Sequence, residues 1–124
     1  MNRQQWDGAA LMAYCMLIFW LSSQSTLLPS PFDFEHKDKL MHVTAYAVMG
    51  FLAWQAFGHR IVNIHLLLCA TIAFASLYGI SDEFHQSFVA GRDADVWDWL
   101  ADTLGASLAA LILHHQVRRA VAIA

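Results

Sequence analysis

The sequence predicts an all-α fold: an integral membrane four-helix bundle with both termini in the cytoplasm. Hydrophobic residues fill 58% of the 124 positions and charged residues only 14%, against roughly a quarter charged in a soluble domain. The apolar residues are gathered rather than scattered, since windows 9–28 and 61–80 hold no Asp, Glu, Lys or Arg across 20 positions each. A hydrocarbon core about 30 Å thick needs about 20 helical residues. Two further apolar windows, 41–57 and 96–113, are shorter or carry a few polar groups. Four spans use most of the chain, which excludes an ordinary soluble domain, and the high apolar share excludes disorder.

Each element follows from its punctuation. The first span, about 9–28, is read as a retained helix and not a cleaved signal peptide. One basic residue precedes it, and it runs through Ser22-Ser23-Gln24-Ser25 with no A-x-A site. Pro29 and Pro31, with Asp33, Glu35 and His36, stop it and form a loop. The second span, about 40–57, ends at the tight turn Gly58-His59-Arg60. The third, about 61–82, runs toward Phe84 and is followed by the loop Val89–Asp93. The fourth covers about 96–114. The whole chain, 1–124, reads as one membrane domain. Cys15 and Cys69 lie inside apolar spans and read as small buried hydrophobes. Arg3, Arg60, Arg118 and Arg119 collect on one side of the spans, and Lys37, Lys39 and Arg92 on the other. That difference, with the short basic turn and tail, places the termini inside.

Ionisable groups in or beside a span are costly and mark function. Here they gather at the outer end of three helices. Lys39, His42, Tyr46 and Gly50 share one helical face. Ser76, Gly79, Glu83 and Gln86 form a similar stripe, with Asp82 and His85 beside it. Asp95, Asp98 and Asp102 continue into Gly105-x-x-x-Ala109, a small-residue pattern that lets two backbones approach closely. Arg92 sits just before them. Five carboxylates (Asp82, Glu83, Asp95, Asp98 and Asp102) face two cations, Lys39 and Arg92, leaving three negative charges in excess. Burying that excess unpaired is prohibitive. Shared protons, a cationic ligand, or a divalent metal on Asp82, Glu83, Asp98 or Asp102 with a histidine would each resolve it. Carboxylates suit Mg²⁺, Mn²⁺ or Ca²⁺; adding His42 or His85 admits Zn²⁺.

Plainer readings stand beside these. Asp33, Glu35, His36 and Asp93 read as solvated loop groups. His59, His65, His114, His115, Arg118 and Arg119 read as interfacial anchors, and Trp54, Trp97 and Trp99 as an aromatic belt. Asp95 and Asp98 serve equally as helix caps. A structural ion-pair network is the alternative for the whole cluster.

Four stretches together resemble the VanZ-like family of small bacterial integral membrane proteins. They are Ser22-Ser23-Gln24; Asp38-Lys39-x-x-His42-x-x-x-Tyr46; Tyr78-x-x-x-Asp82-Glu83-x-His85-Gln86-x-Phe88; and Arg92-x-x-Asp95-x-x-Asp98-x-x-x-Asp102-x-x-Gly105. The resemblance runs from Ser22 to about Leu113. It implies a multi-pass protein of the bacterial cytoplasmic membrane, in a family named for an association with glycopeptide resistance. It supplies no established chemistry.

Three functions fit the residues. The first is an envelope protein whose outer cavity binds a lipid-linked cell-wall precursor or a glycopeptide. Lys39, Tyr46, Asp82, Gln86, Arg92, Asp95, Asp98 and Asp102 would line it, and the two cations would meet phosphate or carboxylate. The second is a hydrolase or transferase on a lipid-linked substrate, with His42 or His85 as general base and Glu83 orienting it or holding a divalent metal. The third is a proton- or ion-coupled transporter subunit, which needs a homodimer to enclose a path. Membrane lipids are partners in all three. The net charge of −3, with no exposed basic run, excludes nucleic acid as a partner.

Overall fold

The computed structural model describes residues 2–25 and 36–123. It contains α1 (Arg3–Ser22), α2 (Lys37–Gly58), α3 (Ile64–Gln86) and α4 (Val96–Ile123), and no strand among the described residues. Helices α2, α3 and α4 are each long and apolar enough to cross a membrane, and the chain is a multi-pass membrane protein.

The helix ends differ from the expected spans for local reasons. Helix α1 begins at Arg3, ahead of the apolar run, because Asn2 caps it. The Asn2 side chain accepts from the Gln5 amide and the Gln5 side chain accepts from the Asn2 amide, each at 2.9 Å. It stops at Ser22, short of the expected Leu28. Ser23 Oγ donates to the Phe19 carbonyl at 2.8 Å and Gln24 Nε2 donates to that of Trp20 at 2.9 Å. Side chains thus take up carbonyls that a longer helix would have used. The expected proline loop, with Asp33 and Glu35, lies outside the described residues. Helix α3 starts at Ile64, later than expected, because Asn63 Oδ1 accepts from the amides of His65 and Leu66. It continues past position 82 to Gln86, and α4 continues past 114 to Ile123. The added stretch of α4, 115–123, holds no Gly or Pro to end it.

The helices run up and down in turn. At one end of the bundle Ser22 meets Asp82, joining the last turns of α1 and α3. At the other, Asp7 of α1 meets His59 after α2 at 2.7 Å. Helix α1 therefore spans the same height as its neighbours, and Arg3 and Val117 line one pocket at the end that holds both termini. Tyrosine hydroxyls pin α1 sideways: Tyr14 donates to the Ala45 carbonyl at 2.9 Å and Tyr78 to that of Cys15 at 2.6 Å.

Small residues face inward and large ones outward. Gly50, Ala53, Ala75, Gly105, Ala106 and Ala110 are buried, and Tyr46 and Met49 are the largest fully buried side chains. Leu66, Leu77, Ile80, Leu104, Leu108 and Leu111 are exposed. Lipid is as apolar as leucine, so association here rests on close packing. The tightest seam joins α2 and α4. A Cβ on Gly105 would overlap the Val43 carbonyl oxygen, and one on Gly50 would lie 2.9 Å from the Ala106 Cα. The expected Gly105-x-x-x-Ala109 pattern is thereby refined: Ala106 and Ala110 are buried, while Ala109 is half-buried. The expected aromatic belt is also revised. Trp54 is buried against Leu67 and Ala110, and Trp99 Nε1 donates to Ser76 Oγ at 3.1 Å, whereas Trp97 is exposed.

Candidate functional site

The end where α1 and α3 finish and α2 and α4 begin gathers the ionisable groups of the spans. Helix α4 enters through Gly91, whose φ of +81° suits a residue without a Cβ. That turn delivers Arg92 and then Asp95, Asp98 and Asp102 along the inner face of α4. The face opposite, on α2, carries Lys39, His42 and Tyr46.

Two neighbouring groups result. In the first, Lys39 Nζ lies 2.5 Å from Asp95 Oδ2, 2.6 Å from Asp98 Oδ1 and 3.3 Å from Asp38 Oδ2. The His42 Nδ1–H donates to Asp102 Oδ1 at 2.8 Å. Asp102 is fully buried, and in its ionised form it would accept the Nδ1–H and leave Nε2 as the free nitrogen. The His42 Nε2 atom then faces Asp98 Oδ2 at 3.8 Å. Glu83 Oε2 accepts the Asp95 amide at 2.7 Å and so caps α4 from α3. Its Oε1 is buried and has no hydrogen-bond partner among the described residues.

In the second group, Asp82 accepts from Ser22 Oγ at 2.8 Å and from Gln86 Nε2 at 3.1 Å. Gln86 Oε1 in turn accepts from Arg92 Nη2 at 3.0 Å. Asp82, Gln86 and Arg92 line a cavity of about 90 Å³, together with Ser22, His42 and Tyr46. The Tyr46 hydroxyl is buried with no partner among the described residues. Ile18, Leu21, Met41 and Ala45 make the apolar part of the wall. Met41 and Ala45 also line a groove of about 350 Å³ beside it, with Tyr14, Leu40, Thr44 and Val48.

The expected residues thus divide. Lys39 sits among three carboxylates, whereas Arg92 lines the cavity. His42 lies within the carboxylate cluster. His85 stands apart, stacked on Phe19 at 4.2 Å with Nε2 3.4 Å from Ser23 Oγ. Of the expected metal ligands, Glu83 and Asp98 each bring an oxygen within 4.8 Å of a His42 nitrogen and of one another. Asp82 and Asp102 fall outside that group, engaged by Ser22 with Gln86 and by His42 respectively. Ser22 was missed as a site residue. Its sequence signal was weak, a serine at the end of an apolar run. Ser76, expected on the polar stripe, instead joins Trp99 and Thr103 in a separate contact between α3 and α4.

Asp95 lies outside the spans, and its hydrogen bond from Lys39, then that from the Trp97 amide, holds its carboxyl below the usual carboxylate range. A depressed value means that the stabilisation is full above the unfolded value and is lost as pH falls through the folded one. The difference in melting midpoint between the wild type and Asp95→Asn is therefore expected to stay constant from about pH 5 to 8 and to close only in stronger acid. A difference that changes across neutral pH would contradict the pairing.

A family model for VanZ/LLP1 matches residues 8–118. An uncharacterized protein of the fission yeast Schizosaccharomyces pombe is 31% identical over 96 residues, covering 73% of this chain. The chain spans about half, 54%, of that relative's length. No solved structure matches. The match covers α2 and α3, most of α1 and α4, and every polar residue of the two groups described above, and the chain belongs to the VanZ/LLP1 family.

Proposed function

We propose that this protein binds the anionic head group of a lipid-linked ligand at the polar end of its bundle. The tail would lie in the groove between α1 and α2. The observation that carries this reading is the join between the two spaces. The polar cavity, with Arg92, Gln86 and an unpartnered Tyr46 hydroxyl, shares the wall residues Met41 and Ala45 with an apolar groove on the outer surface of the bundle. A phosphate or carboxylate matches the fork of an arginine. No carboxylate among the described residues lies within ion-pair distance of Arg92. The middle of the bundle is Met49, Ala53, Ala75 and Ala106, with Thr71 as its buried polar group. That composition supports binding at one end over a charged relay through the bundle.

The uneven spread of arginine favours termini in the cytoplasm and a polar end outside, which would suit an envelope role. A relative in a yeast, which builds no peptidoglycan, favours a phosphorylated long-chain lipid over a peptidoglycan fragment or a glycopeptide.

The test is binding of a long-chain isoprenoid phosphate to the protein in nanodiscs. A hydrogen bond to a charged group contributes about 1.5–3 kcal/mol, or roughly ten- to a hundredfold in affinity. Arg92→Ala is expected to weaken binding by that factor, and Arg92→Lys to restore part of it. Unchanged affinity in Arg92→Ala would defeat the reading. A metal-assisted hydrolase or transferase is the second reading, favoured by one observation: His42 lines the cavity and is oriented by a buried carboxylate, as a general base is. Release of inorganic phosphate from the same lipid, abolished in His42→Ala, would promote it.

A further inference from the structure

We infer that His42, Glu83 and Asp98 form a binding site for one divalent transition-metal ion, Zn²⁺ or Mn²⁺. Their donor atoms all lie within 4.8 Å of one another. Two metal bonds of about 2.1 Å span at most about 4.2 Å. The 3.8 Å between His42 Nε2 and Asp98 Oδ2 falls inside that reach.

A cluster of acids alone would not make a site. Here each donor group is held from outside through one atom, His42 and Asp98 face each other through a second, and Glu83 keeps a second oxygen without a partner among the described residues. His42 is fixed through Nδ1 by Asp102 and presents Nε2. Asp98 is fixed through Oδ1 by Lys39 and presents Oδ2 to His42. Glu83 is fixed through Oε2 by the Asp95 amide and retains Oε1. Glu83 is only 7% exposed, and Oε1 is a buried acceptor with no donor among the described residues. Such an atom costs free energy unless something fills it. The outer contacts are those expected around a metal: a carboxylate orienting the imidazole and hydrogen bonds on the ligating carboxylates.

Charge supports the same conclusion. Glu83, Asp95, Asp98 and Asp102 face one ammonium, that of Lys39, leaving three negative charges in excess where three of the four acids are buried. A dication removes most of that excess. An imidazole nitrogen beside two carboxylates favours a transition ion over Mg²⁺ or Ca²⁺, which prefer oxygen throughout. Three protein donors leave coordination positions open. Because His42 also lines the cavity, the ion would give an anionic head group a second cation beside Arg92. That last consequence rests on the proposed lipid binding; the ion site does not.

The experiment is direct. The chain is purified in detergent without added lipid, stripped with chelator, and titrated with Zn²⁺ and Mn²⁺ alone. Bound metal is counted by elemental mass spectrometry and the melting midpoint is followed. About one ion per chain and a raised midpoint are expected for the wild type. In Glu83→Gln and Asp98→Asn, with helicity checked by circular dichroism, affinity should fall at least about a hundredfold. Wild-type protein that folds but neither retains metal nor shifts its midpoint overturns the proposal. So does metal that survives Glu83→Gln but is lost in His65→Ala, which would place the ion among the histidines at the far end. Uptake of the ion without binding of phosphorylated lipid supports the ion site and counts against the lipid reading; lipid binding without the ion does the reverse.

Discussion

Replacing Gly105 by valine is expected to undo the docking of α2 on α4 and leave little folded protein in mild detergent. Any side chain at this position begins with a Cβ that would overlap the Val43 carbonyl oxygen and lie 2.8 Å from its carbonyl carbon. Those are backbone atoms in mid-helix, so no rotamer change relieves the clash, and the two helices must separate. Overpacking a core costs about 1–3 kcal/mol where side chains can adjust. Here they cannot, and the cost should exceed that range, against a total stability of about 5–15 kcal/mol. Alanine should already be severe. Unfolding in a denaturing-detergent titration checks the size, and Gly8→Ala is the control. A Cβ on Gly8 meets nothing within 4 Å, so its midpoint should hold or rise slightly. The Gly105 seam also sets the site. Val43 adjoins His42, and Gly105 lies one turn from Asp102, so a helix pair forced apart at this level loses the His42–Asp102 hydrogen bond too. A folded Gly105→Val protein that still binds metal or lipid would mean that the close backbone contact is not required.

Much of this seam was legible in the sequence because helical spacing fixes which residues share a face. Lys39, His42 and Tyr46 on one helix, and Asp98, Asp102 and Gly105 on another, each fall on one face at the same end of the bundle by spacing alone. What spacing does not give is rotation about each helix axis to within one residue. That is why Ala109 was expected at the contact and Ala106 with Ala110 occupy it. For the same reason His85 was expected beside His42, although one side of α3 presents Glu83 to α4 and the other presents His85 to Phe19 of α1. Nor does spacing decide how charges pair. Lys39 and Arg92 looked equivalent, two cations among acids. Three carboxylates converge on Lys39, whereas the reversal at Gly91 turns Arg92 toward Gln86 and the cavity. The helix ends depart from the expected spans where polar side chains bond the backbone, at Asn2, Ser23, Gln24 and Asn63, because hydropathy windows do not register caps.

Asp102 separates charge from shape at this site, and two substitutions should behave differently. Asp102→Ala removes the acceptor of the His42 Nδ1–H and leaves a void in a position with no solvent access. A loss of about 3 kcal/mol or more is expected, since breaking a buried pair strands the remaining partner. Asp102→Asn keeps the volume and an oxygen acceptor, so the ring should keep its proton on Nδ1 and the fold should survive. Its stability should hold or rise slightly, because a buried charge has gone and an ion pair often contributes little net stability. What should fall is ion affinity, by about ten- to a hundredfold, the usual effect of losing a carboxylate behind a ligating imidazole. Nitrogen NMR of His42 reads the tautomer, and the Zn²⁺ titration reads the affinity. A stable Asp102→Asn protein with an unchanged tautomer and weakened Zn²⁺ binding would show that the carboxylate acts through its charge on the ring. Unchanged Zn²⁺ binding in that protein would reduce Asp102 to a packing and hydrogen-bonding residue.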